Sequence, residues 1–364
     1  MTAPALSSLT IKGMRIPLPI IQGGMGVGVS LSPLARATAL AGGLGVVSSA
    51  GLDRLVGHRL GRPLRMYEAV CEEVAAAASG GGFIAVNIMV ALQRDYEASV
   101  RGAIDGGAHA IISGAGLPLS LPAVQAPGDT ALIPIVSSAR ALRLICRRWE
   151  RERCRPDAVV LEGPLAGGHL GFHMEQLDLE ENTLERLLPA VKEVAQAHGD
   201  FPVVVAGGIY TNADIRRFMA LGADGVQMGT RFLATEESGA TQAYKQAVLR
   251  ATPTDTLVAH DPGSPCGLPF RVLRASPMYR SALARRRPSK CDKGYVLLKD
   301  ASGRYMRCPA RQDNEHSFCI CNGLLSSGGV GSDGEEPLYT AGANAWRVDR
   351  ILPVRELMAE LAGA

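Results

Sequence analysis

Residues 159–172 read VVLEGPLAGGHLGF. The apolar opening, two of its residues β-branched, suits a buried strand, and the run stops at a carboxylate, Glu162. A Gly163–Pro164 turn follows, then the paired Gly167 and Gly168, and then His169. Glycines let backbone come close to a ligand, and an imidazole exchanges a proton near neutral pH. By itself the stretch also suits a plain turn with a solvated histidine, so the rest of the chain has to decide.

The same pattern, a short apolar run ending in small or polar residues, recurs eight times: PLPIIQ at 17–22, GLGVVS at 43–48, FIAVN at 83–87, AHAIIS at 108–113, ALIPIV at 131–136, AVVLE at 158–162, PVVVA at 202–206 and GVQMG at 225–229. Between the runs lie helical periodicities. In 212–221, NADIRRFMAL, residues Ile215, Phe218, Met219 and Leu221 form one face, with Asn212 as the expected cap and Gly222 as the stop. In 184–198 the stripe is Leu187, Leu188, Val191 and Val194. Continuous apolar strands separated by helices imply a parallel sheet covered on both faces.

Eight such units are the count for an α/β fold of the (β/α)8 TIM-barrel type, about 250 residues long, with its site at the C-terminal strand ends. The expected organisation is a barrel over 12–258, a Cys-containing insertion or lid over 259–337, and a C-terminal segment, 338–364, packing back on the barrel. A doubly wound open sheet is the alternative. The glycines after the first strand lack the full dinucleotide spacing, and no acid ends the second strand.

Composition narrows the class. Hydrophobic residues make up 47% of the 364 residues, enough for a large core. The net charge of +3 and 5% aromatic content give neither the charge nor the stacking surface for nucleic acid. No apolar run approaches the roughly 20 residues of a membrane helix, and the N-terminus does not read as a signal peptide. A cytoplasmic protein acting on a small molecule is expected, with a homodimer left open.

Two strand ends carry a ligand argument. Gly207–Gly208 closes the seventh run just before a helix, and Gly229–Thr230 closes the eighth. Exposed backbone N–H groups, a helix N-terminus and a hydroxyl make a phosphate site where such barrels commonly place one. A cofactor bearing one phosphate, such as FMN, fits that requirement.

IIQGGMGVGVS at 20–30, FIAVNIM at 83–89, EGPLAGGHLGF at 162–172, VVVAGGI at 203–209 and GADGVQMGTRFLATEES at 222–238 together resemble the nitronate monooxygenase (2-nitropropane dioxygenase) family, which also includes FMN-dependent enoyl-ACP reductases. The likeness runs from about residue 12 to 245 and returns in the tail around 341–361. It implies an FMN-dependent oxidoreductase. Gly24 and Met25 would lie by the flavin, and Asn87 and Gln22 would bond its polar edge. Glu162 and Gly168 would line the same face. Gly207, Gly208, Gly229 and Thr230 would hold the phosphate, with Gln227 and Met228 preceding that last pair. His169 stands for the histidine of the family's GGH motif and is the expected catalytic base, with His173 a rim residue. Leu165 departs from the pattern, standing where the family often has Glu, so any role of that acid is either missing here or taken over by Glu162.

The implied reaction is oxidation of alkyl nitronates with O2 to carbonyl compounds and nitrite. The alternatives are an NAD(P)H-dependent enoyl-ACP or quinone reductase and a non-catalytic flavin-binding barrel. The insertion breaks the periodic pattern. It holds Cys266, Cys291, Cys308, Cys319 and Cys321, and the last four are candidate ligands for zinc or an iron–sulfur cluster. Their spacing matches neither zinc-finger nor ferredoxin patterns, so apolar packing of the thiols and a redox or regulatory thiol pair are the competing readings.

Overall fold

The computed structural model describes residues 5–285, 298–299, 305–306, 308, 310, 316–332 and 334–363. Eight parallel strands close into a barrel: β1 (Ile20–Gln22), β2 (Leu44–Ser48), β3 (Phe83–Met89), β4 (Ala110–Gly114), β5 (Ala131–Val136), β6 (Val159–Glu162), β7 (Val203–Ala206) and β8 (Gly225–Met228). Pairing of Val226 with Ile20 and of Gln227 with Ile21 joins the last strand to the first, which rules out the open doubly wound sheet.

The apolar runs look continuous in sequence because each strand is buried on both faces, yet the faces differ. Ile21, Val46, Ile112, Ile133, Val160 and Val204 point into the barrel and fill it. Their neighbours Ile20, Val47, Ile111, Leu132, Val159 and Val203 point outward against the helices. Each such side chain contributes about 1.5–3 kcal/mol by leaving water, so the alternation fixes register as well as stability.

An antiparallel hairpin, Leu9–Ile11 with Met14–Ile16, closes the N-terminal end of the barrel. Lys12 and Gly13 both take positive φ at its turn, and the apolar hairpin residues join the barrel interior. With that end sealed, ligand access is left to the opposite, C-terminal face.

The helix after β7, Asn212–Ala220, is capped by Thr211 rather than Asn212. The Thr211 hydroxyl accepts the Asp214 N–H at 3.2 Å, and the Asp214 carboxylate accepts the Thr211 N–H at 2.9 Å. Asn212 instead donates to the Leu361 carbonyl and so ties down the final helix, Val354–Ala362.

The chain leaves the barrel into a strand, Thr256–Ala259, so the expected boundary at 258 falls inside an element. That strand pairs with Phe270–Leu273, which in turn pairs antiparallel with Gly168–His169. The insertion is therefore stitched onto the loop after β6. A helix, Pro277–Leu283, and a two-strand pairing of Leu298–Lys299 with Tyr305–Met306 follow. Among the described residues no helix is long and apolar enough to cross a membrane.

Candidate active site at the C-terminal strand ends

A cavity of about 760 Å3 opens at the C-terminal ends of the barrel strands. That volume lies in the range of small-molecule and cofactor sites. It gathers Gly24 and Met25 after β1, Asn87 from β3, Glu162, Gly168 and His169 from and after β6, Gly207 and Gly208 after β7, and Gln227 to Thr230 from β8 onward.

Gln22 does not join them. It is fully buried, and its amide Nε2 donates to the Gly23 carbonyl at 2.6 Å and to Ser30 Oγ at 2.7 Å. Its Oε1 accepts the Val46 N–H at 2.9 Å. The expectation that Gln22 bonds a cofactor edge is corrected: both amide protons and the carbonyl are spent on shaping the loop after β1.

That loop must be glycine at residue 24. A Cβ there would lie 2.1 Å from the Asn87 Cβ, so the loop rests directly on the Asn87 side chain. After β7, Gly207 has φ +97°, and a Cβ on it would come within 3.0 Å of the Gly163 carbonyl. The wall made by the ends of β7 and β8 is thus backbone brought close. Among the described residues lining it, none is Lys or Arg.

Two tail residues brace this wall. Thr230, which lines the cavity, accepts the Gly342 N–H on its Oγ1 at 2.9 Å. Asn344 Nδ2 donates to the Gly208 carbonyl at 2.6 Å. Neither tail residue was legible, because nothing local to 338–364 marks contact with loops more than a hundred residues upstream.

The adjoining wall, at the end of β6, where Glu162 pairs in register with Ala206 of β7, carries titratable groups. Glu162 ends β6 half-buried at the cavity edge, and loss of bulk water pushes its carboxyl up to about 7. His169 packs edge-on to Phe270, ring centroids 4.6 Å apart. Arg271 locks the loop between them: Nε donates to the Ala166 carbonyl at 3.0 Å and an Nη to the Pro164 carbonyl at 2.8 Å. His173 is exposed on the rim, where its backbone N–H donates to Gln176 Oε1. Leu165, half-exposed at the wall, lies over Gly208.

A thiol that sequence reasoning counted only among the insertion's cysteines sits behind His169. The Ser264 hydroxyl lies 2.9 Å from Cys266 Sγ and 3.4 Å from His169 Nε2. Burial pushes the Cys266 thiol up, but hydrogen bonding to His169, the histidine's charge and the Ser264 hydroxyl outweigh it and bring the thiol down to about 7.

The remaining candidates behave differently. Cys308 and Cys319 are buried with Ala310, and Cys321 packs against them. Cys291 lies outside the described residues. Among the described residues no three of His, Cys, Asp and Glu come together to hold a metal ion.

The residues present fit FMN. Gln227 Oε1 is buried with no hydrogen-bond partner, and Gln227 lines the cavity, so an acceptor waits for a donor such as a flavin ring N–H. The glycine wall supplies backbone and a hydroxyl where a phosphate needs them.

Comparison with known proteins agrees. The family model described as "Nitronate monooxygenase" matches residues 7–363. A probable nitronate monooxygenase of Staphylococcus haemolyticus is 45% identical over 109 residues, 29% of either chain. The nitronate monooxygenase of Pseudomonas aeruginosa is 42% identical over 124 residues, 33% of this chain and 34% of its own. The matched stretches thus span about a third of these curated relatives. Among solved structures, FabK from Thermotoga maritima superposes with a TM-score of 0.69 at 25% identity, covering 95% of this chain and 92% of that one. A nitroalkane oxidase from Streptomyces ansochromogenes shares the fold, with a TM-score of 0.66 at 23% identity over 95% of both chains.

Proposed function

Because this chain belongs to the nitronate monooxygenase family, a family of FMN-dependent oxidoreductases, we propose that it oxidises small nitro compounds through their nitronates, with O2, to carbonyl compounds and nitrite. The observation that carries the reading is the division of one cavity into a glycine wall at β7 and β8 and a titratable wall at β6.

Gly207, Gly208, Gly229 and Thr230 would hold the FMN phosphate, Gln227 and Asn87 would meet the polar edge of its ring, and Gly24 and Met25 would lie beside it. When bound, FMN accepts the electrons of the oxidation and passes them to O2. The protein supplies placement and proton transfer. His169 takes the proton from the carbon bearing the nitro group, which leaves the nitronate ready for oxidation. Glu162, its carboxyl pushed up to about 7, keeps its proton below neutrality and in about half of the molecules at pH 7, and in that form donates a hydrogen bond into the cavity without adding a negative charge beside an anionic substrate.

Whole-length likeness to the Thermotoga maritima FabK supports a second reading, in which NAD(P)H reduces the flavin and an enoyl thioester or quinone is then reduced in the same cavity. The reading carries with it a cytoplasmic location and a small-molecule partner.

The test is the visible spectrum of the purified holoprotein without oxygen. Bleaching of the flavin bands by an alkyl nitronate is the expected result. Bands that ignore the nitronate but bleach with NAD(P)H move the assignment to the reductase. Failure to take up FMN overturns both.

A further inference from the structure

His169 is not the end of the proton path. Its Nε2 faces Ser264, and behind Ser264 lies Cys266, both supplied by the insertion 95 or more residues downstream. The ladder between Phe270 and His169, with Leu170 N–H donating to the Pro269 carbonyl at 2.9 Å, fixes this approach. Resting on the assignment of His169 as the base, we propose that Cys266 is a positioning residue that acts through Ser264 to decide which nitrogen of His169 carries the proton.

The two settings follow from hydrogen-bond direction. With Cys266 as thiol, S–H donates to Ser264 Oγ, the Ser264 O–H donates to Nε2, and the ring proton sits on Nδ1. When the thiol gives its proton to Ser264 and Ser264 passes its own to Nε2, the ring holds both protons. Loss of the Nδ1 proton to solvent then leaves thiolate, Ser264 O–H donating to sulfur, Nε2–H donating to Ser264, and a free lone pair on Nδ1. One proton leaves, and nothing is oxidised. The second setting makes Nδ1 a base, because the partner of one ring nitrogen sets the state of the other.

The charged surroundings leave His169 as the group that acts on the thiol. Arg271 on the adjoining strand is committed to the carbonyls of Ala166 and Pro164. Asp261 pairs with His316 at 3.2 Å. Glu162 and His173 stand at the cavity edge and rim. His260 starts the insertion. His169 is the charged group whose hydrogen bond and charge bring the thiol down.

The holoprotein is alkylated with N-ethylmaleimide over a pH series, and the peptide carrying Cys266 is followed by mass spectrometry. The rate is expected to rise through about pH 7 in the wild type and through about 8.5, the ordinary thiol range, in His169→Ala. Ser264→Ala serves as the second variant and is expected to move the midpoint the same way by a smaller amount. In parallel, kcat/KM for a nitroalkane against pH is expected to show a rising limb near 7 in the wild type that moves in Cys266→Ser. An ordinary thiol midpoint in the wild type, or one that neither variant moves, overturns the proposal. So does a Cys266→Ser profile that superimposes on the wild type. If His169→Ala retains full turnover, the base assignment falls instead, while the alkylation midpoint still reports on the thiol–imidazole pair.

Discussion

The two walls of the cavity are built from opposite materials. The wall at β7 and β8 is largely backbone: Gly207, Gly208 and Gly229, with the Thr230 hydroxyl, the Gln227 amide and braces from Gly342 and Asn344. The wall at β6 is side chain: Glu162 and His169, with Cys266 behind. Backbone amides are fixed donors that do not titrate, so they suit a group that must stay in place. Carboxyl, imidazole and thiol groups change charge near neutrality, so they suit a proton that must move. The difference teaches that binding and proton transfer are separable here, and substitutions should separate them.

The sharpest break on the binding side is Gly24→Ala. With a Cβ 2.1 Å from that of Asn87, the loop after β1 must shift, at an overpacking cost of about 1–3 kcal/mol. FMN affinity measured by flavin fluorescence should fall roughly 10- to 100-fold, since each 1.4 kcal/mol is a factor of ten. Unchanged affinity would show that this loop does not touch the cofactor.

Glu162→Gln sharpens the other side. The folded carboxyl titrates at about 7 against an ordinary 4.5, so its stability contribution is fully present below pH 4.5 and is lost as pH rises through 7. The variant, having no proton to lose, should melt with the wild type at the acid end and gain on it between those values. By neutral pH the gain should be about 1–3 kcal/mol, or roughly 1–4 °C for a chain of this length. Parallel melting curves over that interval in the FMN-free protein would remove the claim that this carboxyl is pushed up.

The smallest effect is expected from Asn344→Ala. It deletes one hydrogen bond to the Gly208 carbonyl, about 1 kcal/mol, so FMN should bind about fivefold more weakly with turnover of the loaded enzyme intact. A loss of turnover instead would place the tail in the chemistry.

How far these walls were legible follows from how they are built. The barrel could be read because each strand is a buried β-branched run and each helix shows its own stripe, and glycine pairs at strand ends are local signals. Gln22 was misread because its place beside the QGGMG loop says nothing about which way its amide turns. Its partners Ser30 and Val46 come from neighbouring turns and strands. The helix cap moved by one residue because Thr211 and Asp214 form a reciprocal pair, leaving Asn212 to the C-terminal helix. Cys266 was hidden for a deeper reason: its role exists only once Phe270–Leu273 pairs with Gly168–His169, and no local periodicity announces a pairing across a hundred residues.

The central claim, that the β6 wall moves the proton while the β7–β8 wall holds the cofactor, is tested most directly in His169→Ala loaded with FMN. Without oxygen, the rate of flavin bleaching is compared for a neutral nitroalkane and for its preformed nitronate, the second of which needs no base. The account predicts normal FMN content and a slowing of about 10²-fold or more confined to the nitroalkane. Equal slowing with both substrates, or none with either, would contradict it.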